Sequence, residues 1–410
     1  MNATKFTIFS CTLIYILQTL PIMGNKLPGI LSIANYVLLF LVLVFNIGTK
    51  SLSKILPIFL IPFLDVLIRG NNMLELFRGI ASFLYSLVLP MLGIYLLKKN
   101  NFKMAVIIFG TFVLTNIITC YTTYFGCQIY PNAARDLATG DIMESPFYQI
   151  YLDANIGGFK FIYNLVLFSI LTICLIKNNK QLSINLILII VSITFFLGIV
   201  LAITASQYTI AILLTSINLL LFFIGRKLSA RKVILLGGTL LLILVAFKPV
   251  VADGLMKIAD NIESKTVSHR LTDISLSLEG KHSQEDSNMD SRKEKYMKSI
   301  NNFINNPLGG WSLQSAGGHS YIFDTLAKYG ILGLILLIIS LKKIYRNYIK
   351  PLYGSFVYGY ALMLFLQLII LAILNPILFT DFMLFVLPIY CFIFVNDNQL
   401  IKHKNKYNEN

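Results

Sequence analysis

Residues Leu182–Ile224 read LSINLILIIVSITFFLGIVLAITASQYTIAILLTSINLLLFFI, 43 positions without one charge. A membrane-crossing helix needs about 20 largely apolar residues, so this stretch is long enough for two. Its only polar cluster is Thr204-Ala-Ser206-Gln207-Tyr-Thr209, which predicts the turn between them.

The rest of the chain reads the same way. Of 410 residues, 56% are hydrophobic and 13% charged, and the mean hydropathy is +0.74. A soluble globular composition carries about a quarter charged residues, so a water-soluble multidomain enzyme is excluded, as is a disordered chain. Apolar runs recur near 6–23, 29–47, 51–68, 79–97, 104–121, 158–176, 182–204, 209–224, 233–250, 320–341, 354–374 and 377–395. The expectation is an all-α, polytopic bundle of about 12 transmembrane helices in a single domain, 1–395, followed by a tail at 396–410. The first run has no A-x-A-like cleavage site after it and reads as an uncleaved span. No repeat period stands out, and the halves do not duplicate each other.

The net charge of +15 would point to nucleic acid in a soluble protein. Here the basic residues alternate with the spans. With the N-terminus inside, 19 of 34 Lys and Arg fall in short cytoplasmic segments, while of the 19 acids only Asp397 and Glu409 do. That is the positive-inside pattern. It predicts cytoplasmic termini and puts two longer segments outside, about 122–157 and about 251–319, the second between helices 9 and 10.

The first of these is aromatic (Tyr121, Tyr124, Phe125, Tyr130, Phe147, Tyr148, Tyr151). Such residues serve as belt anchors at the membrane surface, or as a surface on which sugars stack. The second holds the chain's densest chemistry. Ser291 and Glu294 form an S-x-x-E capping box, and Tyr296, Met297, Ile300, Phe303 and Ile304 recur at helical spacing before Pro307-Leu-Gly-Gly310. This predicts an amphipathic helix on the outer leaflet. Gly317-Gly318-His319-Ser320 then leads into an apolar span, so His319 sits at the outer mouth of that helix. Asp324 and Lys328, four apart, read as a local ion pair.

Arginine, the better fork for phosphate oxygens, is scarce, yet five of eight (Arg69, Arg78, Arg135, Arg270, Arg292) lie on the outer side. Arg69 and Arg78 flank a short turn containing Glu75, where ordinary pairing is the alternative. There is no Asp-x-Asp, P-loop or H-E-x-x-H motif, and the five cysteines form no CxxC. The G-x-S-x-G elbow of serine hydrolases is incomplete at Gly318-His-Ser320-Tyr-Ile322, which lacks its last glycine. No charge lies mid-span, which argues against an ion-coupled transporter.

The run from Ser291-Arg292 through Asn306-Pro307-Leu308-Gly309 to His319-Ser320, Asp324, Gly330 and Gly333 resembles the loop signature of the O-antigen ligase/polymerase (Wzy-type) superfamily. The twelve-span layout is similar too. The resemblance implies a GT-C-like membrane glycosyltransferase in a bacterial inner or plasma membrane, active on its external side. Its substrates would be undecaprenyl-diphosphate-linked oligosaccharides, as donor and acceptor. No metal or other cofactor is implied. Chain-length regulator and flippase proteins would be its partners. On that pattern His319 matches the loop histidine of the general base, and Arg270 and Arg292 match the arginines that hold the diphosphate. Arg69, Arg78, Gln207, Ser320, Tyr321 and Asp324 are the expected substrate-binding residues. One departure stands out: the family's Ser-Arg in the turn between spans seven and eight is Ser206-Gln207 here. The activity expected is a surface-polysaccharide polymerase. The alternatives are a ligase with the same chemistry and a lipid-linked oligosaccharide flippase or exporter.

Overall fold

The computed structural model describes residues 3–26, 29–69, 73–99, 101–137, 146–178, 186–220, 222–223, 248–261, 288–353 and 357–376, with 268, 271–272 and 275–276 besides. Among the described residues there are helices and turns but no strand. Lipid offers the backbone no hydrogen-bond partner, and a helix satisfies its N–H and C=O groups within one segment. In chain order the helices are α1 (Ala3–Leu17), α2 (Pro21–Lys26), α3 (Gly29–Ile47), α4 (Thr49–Ile55), α5 (Leu60–Arg69), α6 (Met73–Lys99), α7 (Phe102–Ile129) and α8 (Ala133–Asp136). There follow α9 (Pro146–Asp153), α10 (Phe159–Lys177), α11 (Leu186–Ser206), α12 (Thr209–Leu220), α13 (Lys248–Asp260), α14 (Asn288–Asn305), α15 (Tyr321–Ile344) and α16 (Tyr358–Leu374).

Six segments, 30–47, 79–99, 103–129, 159–177, 186–206 and 321–352, are long and apolar enough to cross a membrane, and 3–17, 56–68, 209–220 and 358–374 are shorter apolar helices. The chain is an all-α polytopic membrane protein. These ten coincide with ten of the expected spans. The expected span 377–395, nearly all of 233–250, and the tail lie outside the described residues.

The helices sort their faces by neighbour. In α11, Leu186, Ile187 and Ile190 are exposed, whereas Phe195, Ile199, Ala202 and Ile203 are buried. Gly198 lets α11 lie close on α7, since a Cβ there would stand 3.1 Å from Cys120 Cβ, and Tyr121 Oη donates to the Thr194 carbonyl (3.3 Å). Inside the bundle, α10, α12 and α16 share a polar lock. Asn218 and Gln367 exchange amide hydrogen bonds of 2.6 and 3.1 Å, and Asn218 also donates to Ser169 Oγ (2.8 Å). Buried amides satisfied this way hold helices together where hydrophobic attraction between them is absent.

Two expected loops are partly helical. α7 runs two turns beyond its expected end, because nothing in Thr122–Ile129 breaks a helix before Pro131. The aromatic segment is thus built mainly from α7, α8 and α9. Asn155, at φ 55°, ties its end to α7 by donating to Thr122 Oγ1 (3.0 Å), and its Oδ1 accepts from the Ile22 N–H (3.3 Å). The start expected for the long loop, near 251, falls inside α13.

Candidate active site

Five hydrogen bonds build the mouth of α15. Ser320 is its N-cap, with Oγ accepting from the Phe323 N–H (3.1 Å). One turn in, Asp324 reaches back, and its carboxylate accepts from the N–H groups of Ser320 (3.1 Å) and Gly318 (3.2 Å). Ser299 of α14 donates to the same carboxylate at 2.7 Å while its Oγ accepts from the Gly317 N–H at 2.8 Å. Asp324 and Ser299 are 6% and 0% exposed. A buried carboxylate that accepts three hydrogen bonds is a rigid post, and the loop 317–320 is wrapped around it.

Gly317 explains how close the wrapping is. A side chain there would run into the Lys295 backbone of α14, so only glycine lets the loop press on that helix. Gly318 follows at φ 80°. The next residue, His319, is half-buried and lies beside α14, with Lys295 Nζ 2.8 Å from its Nε2. Partial burial, Lys295 and Arg292 all hold the imidazole below its ordinary range, and the Asp324 charge opposes them. Tyr296 shares this face: its hydroxyl donates to the Leu374 carbonyl (2.8 Å), its ring meets Phe323 edge-on, and burial raises its pKa.

α14 therefore differs from expectation. It begins at Asn288, so Ser291 lies within the helix and is not its cap. Its contact face runs through Tyr296 and Ser299, bound to α15 and the end of α16, with Arg292 and Phe303 half-buried on the same face. Met297 and Ile304, assigned to the apolar stripe, are exposed. Asp324 and Lys328 do not pair with each other as expected. Asp324 is occupied by Ser299 and the loop, and Lys328 crosses to Asp65 of α5 (2.8 Å), which also accepts from Tyr329 Oη (2.7 Å).

α15 is broken at Gly330 (φ 58°, ψ −139°). The segment after α14 enters the break: Gly310 and Trp311 donate backbone N–H bonds to the carbonyls of Ala327 (3.1 Å) and Lys328 (2.9 Å), and Ile331 donates to the Pro307 carbonyl (2.8 Å). A Cβ at Gly330 would overlap that carbonyl. The Pro-Leu-Gly-Gly motif is thus a clamp that satisfies a broken helix.

Of the expected site residues, His319, Ser320, Tyr321, Asp324 and Arg292 come together. Ser320, Tyr321 and Asp324 are buried; the Ser320 and Asp324 side chains are spent on the cap and the loop, and the Tyr321 N–H on the Asn375 carbonyl (3.1 Å). Arg69 ends α5 and Arg78 lies in the second turn of α6, with side chains outside the described residues. Arg270 lies outside them altogether. Gln207, at φ 56°, is in the predicted turn between α11 and α12. Its carbonyl accepts from the Arg135 guanidinium, which also lies over Tyr208 at 5.9 Å. The cation at that turn therefore comes from α8. Lys295 and Ser299 gave no signal in the sequence, because in a lysine-rich helix only the partner across the interface picks out one polar residue. Among the described residues no three of His, Cys, Asp and Glu converge as a metal-ligand set.

The mouth thus places an imidazole beside two cations, on a loop set by a buried carboxylate. No curated protein and no solved structure matches the chain. Residues 192–338, which run from α11 through the His319 loop into α15, match the O-antigen ligase family model, and this match places that segment in the Wzy/O-antigen ligase superfamily.

Proposed function

We propose that this chain is a polymerase of a bacterial surface polysaccharide. It would transfer the growing glycan from undecaprenyl diphosphate to a sugar hydroxyl of an incoming lipid-linked repeat unit. The family match over residues 192–338 supports a glycosyltransferase-type enzyme of the O-antigen ligase/polymerase kind. The observation that carries the finer reading is the placement of His319 against Arg292 and Lys295 at the mouth of α15.

In the reaction, the acceptor oxygen bonds to the anomeric carbon of the donor sugar and its proton passes to His319. The bond from that carbon to the diphosphate oxygen breaks, and the electron pair leaves with the diphosphate. Arg292, and by the resemblance Arg270, meets the charge that develops there. A base held neutral near pH 7 suits the proton step. The diphosphate ester carries the driving force within the donor. The mouth would face away from the cytoplasm, as the charge distribution predicts.

The test is the lipid-linked glycan that accumulates in cells lacking the gene or carrying His319→Ala. Single repeat units on the outer face support the polymerase. Full-length polymer left on the lipid makes the protein a ligase, and units held on the inner face make it a flippase. His319→Gln keeps a hydrogen bond but takes no proton, so near-normal chains in that variant would remove the general-base role.

A further inference from the structure

The contact between Lys295 and His319 raises a problem for a base. An ammonium donates hydrogen bonds and accepts none, so at 2.8 Å it holds the Nε2 lone pair and leaves the ring proton on Nδ1. A nitrogen so occupied cannot take a proton from a hydroxyl. Lys295 also has no carboxylate in ion-pair reach among the described residues. Asp324, the carboxylate whose charge acts on the imidazole, is occupied by Ser299, Gly318 and Ser320. Arg292 precedes Lys295 by three residues, so the two cations share one face of α14. The Lys295 side chain is exposed while its backbone is pinned against Gly317. The ammonium can therefore swing on a fixed stem.

We propose that Lys295 is a movable cap on the base: it holds His319 Nε2 while the site is empty, and turns to a phosphate oxygen when a lipid diphosphate arrives, freeing Nε2 to take the acceptor proton. This rests on the diphosphate-donor reading above and adds to it a residue and an order of events. Binding the donor switches the base on. The charge that repels a proton from His319 in the empty site is the charge that meets the leaving group in the loaded one. The groups facing the imidazole are Lys295 and Arg292 from α14 and Asp324 from α15. Removing Lys295 leaves one cation against one carboxylate, so the ring should protonate more readily.

The experiment uses the full-length protein in lipid nanodiscs, with histidine 13C-labelled at Cε1. The chain has four histidines, and the His319 resonance is identified by its loss in His319→Gln. In the empty protein, Lys295→Gln should move the His319 titration midpoint upward, and Lys295→Arg should keep it near the wild-type position. Farnesyl diphosphate is then added as the probe. The wild-type His319 signal should move to that of an imidazole no longer bonded at Nε2, and Lys295→Gln should bind the probe about tenfold more weakly. Thermal unfolding of each variant reports folding, and because the Lys295 side chain is exposed, both variants should unfold like the wild type. An unchanged midpoint in Lys295→Gln overturns the cap. Equal probe affinity in wild type and Lys295→Gln overturns the swing to phosphate and leaves the diphosphate reading standing. No binding of farnesyl diphosphate to the wild type removes the diphosphate reading, and the switch with it.

Discussion

As the base of the proposed reaction His319 would work only in its neutral form, and burial, Lys295 and Arg292 hold its pKa below the ordinary histidine range. The sign follows. As pH falls the ring protonates later than a free histidine would, so activity should be flat around neutrality and decline only below pH ~6.5. A pH–rate profile of glycan extension in membrane vesicles at limiting donor, which reports the empty site, checks this, and a decline centred above 6.5 would contradict the site as described. Ser299 is the residue whose loss should separate position from chemistry. Its hydroxyl joins Gly317 to Asp324, and removing it leaves a buried carboxylate short of one donor, at a cost of about 1–3 kcal/mol. Ser299→Ala should lower both the thermal midpoint and the rate while leaving the shape of the pH profile unchanged. A shift of the pH limb without loss of stability would assign Ser299 a direct part in the proton step.

Among the elements, α15 is the one whose irregularity matters. A helix broken at membrane depth is tolerated where the freed backbone groups find partners in protein, and Pro307, Gly310 and Trp311 supply them. Gly330→Ala should be among the most damaging substitutions in the chain. It combines a left-handed backbone with an overlap on the Pro307 carbonyl, together on the order of 2–4 kcal/mol. The expected result is loss of folded protein after detergent extraction. Gly110→Ala, with open space around it, should be silent in the same assay. If Gly330→Ala extracts and unfolds like the wild type, the clamp is not what holds the mouth in place.

For the whole molecule, the Lys328–Asp65 pair fastens the early helices to the site. The two side chains are 12% and 16% exposed, sheltered enough that removing one partner costs far more than the pair contributes. Asp65→Ala should lose about 3–5 kcal/mol, measured by unfolding in detergent, whereas Asp65→Ala with Lys328→Ala should recover part of the loss. Additive effects would mean that the pair is solvated and does not bolt the bundle. The orientation of the bundle is tested separately. Reporters fused after Lys227 and at the C-terminus should read cytoplasmic, and one inserted at Gln284 external. A cytoplasmic reading at Gln284 would put the site on the wrong side for lipid-linked glycans displayed outside.

The sequence by itself determined that the chain is a helical membrane protein, roughly where its described apolar helices lie (α7 overran its expected end by two turns), and which histidine stands at a helix mouth. Each of these follows from local quantities, the length of an apolar run and the position of glycines and polar residues at its ends, and such quantities survive in one dimension. Tertiary structure decided the partners. That Lys328 answers Asp65 and not Asp324, that Ser299 is the hidden link to the His319 loop, that Lys295 rests on Nε2, and that Arg135 supplies the cation at the Gln207 turn all depend on contacts between residues from 18 to more than 260 positions apart. The physical reason is that a polar side chain in this protein is selected by the group it must satisfy after packing. Nothing in its own neighbourhood of sequence records which group that is.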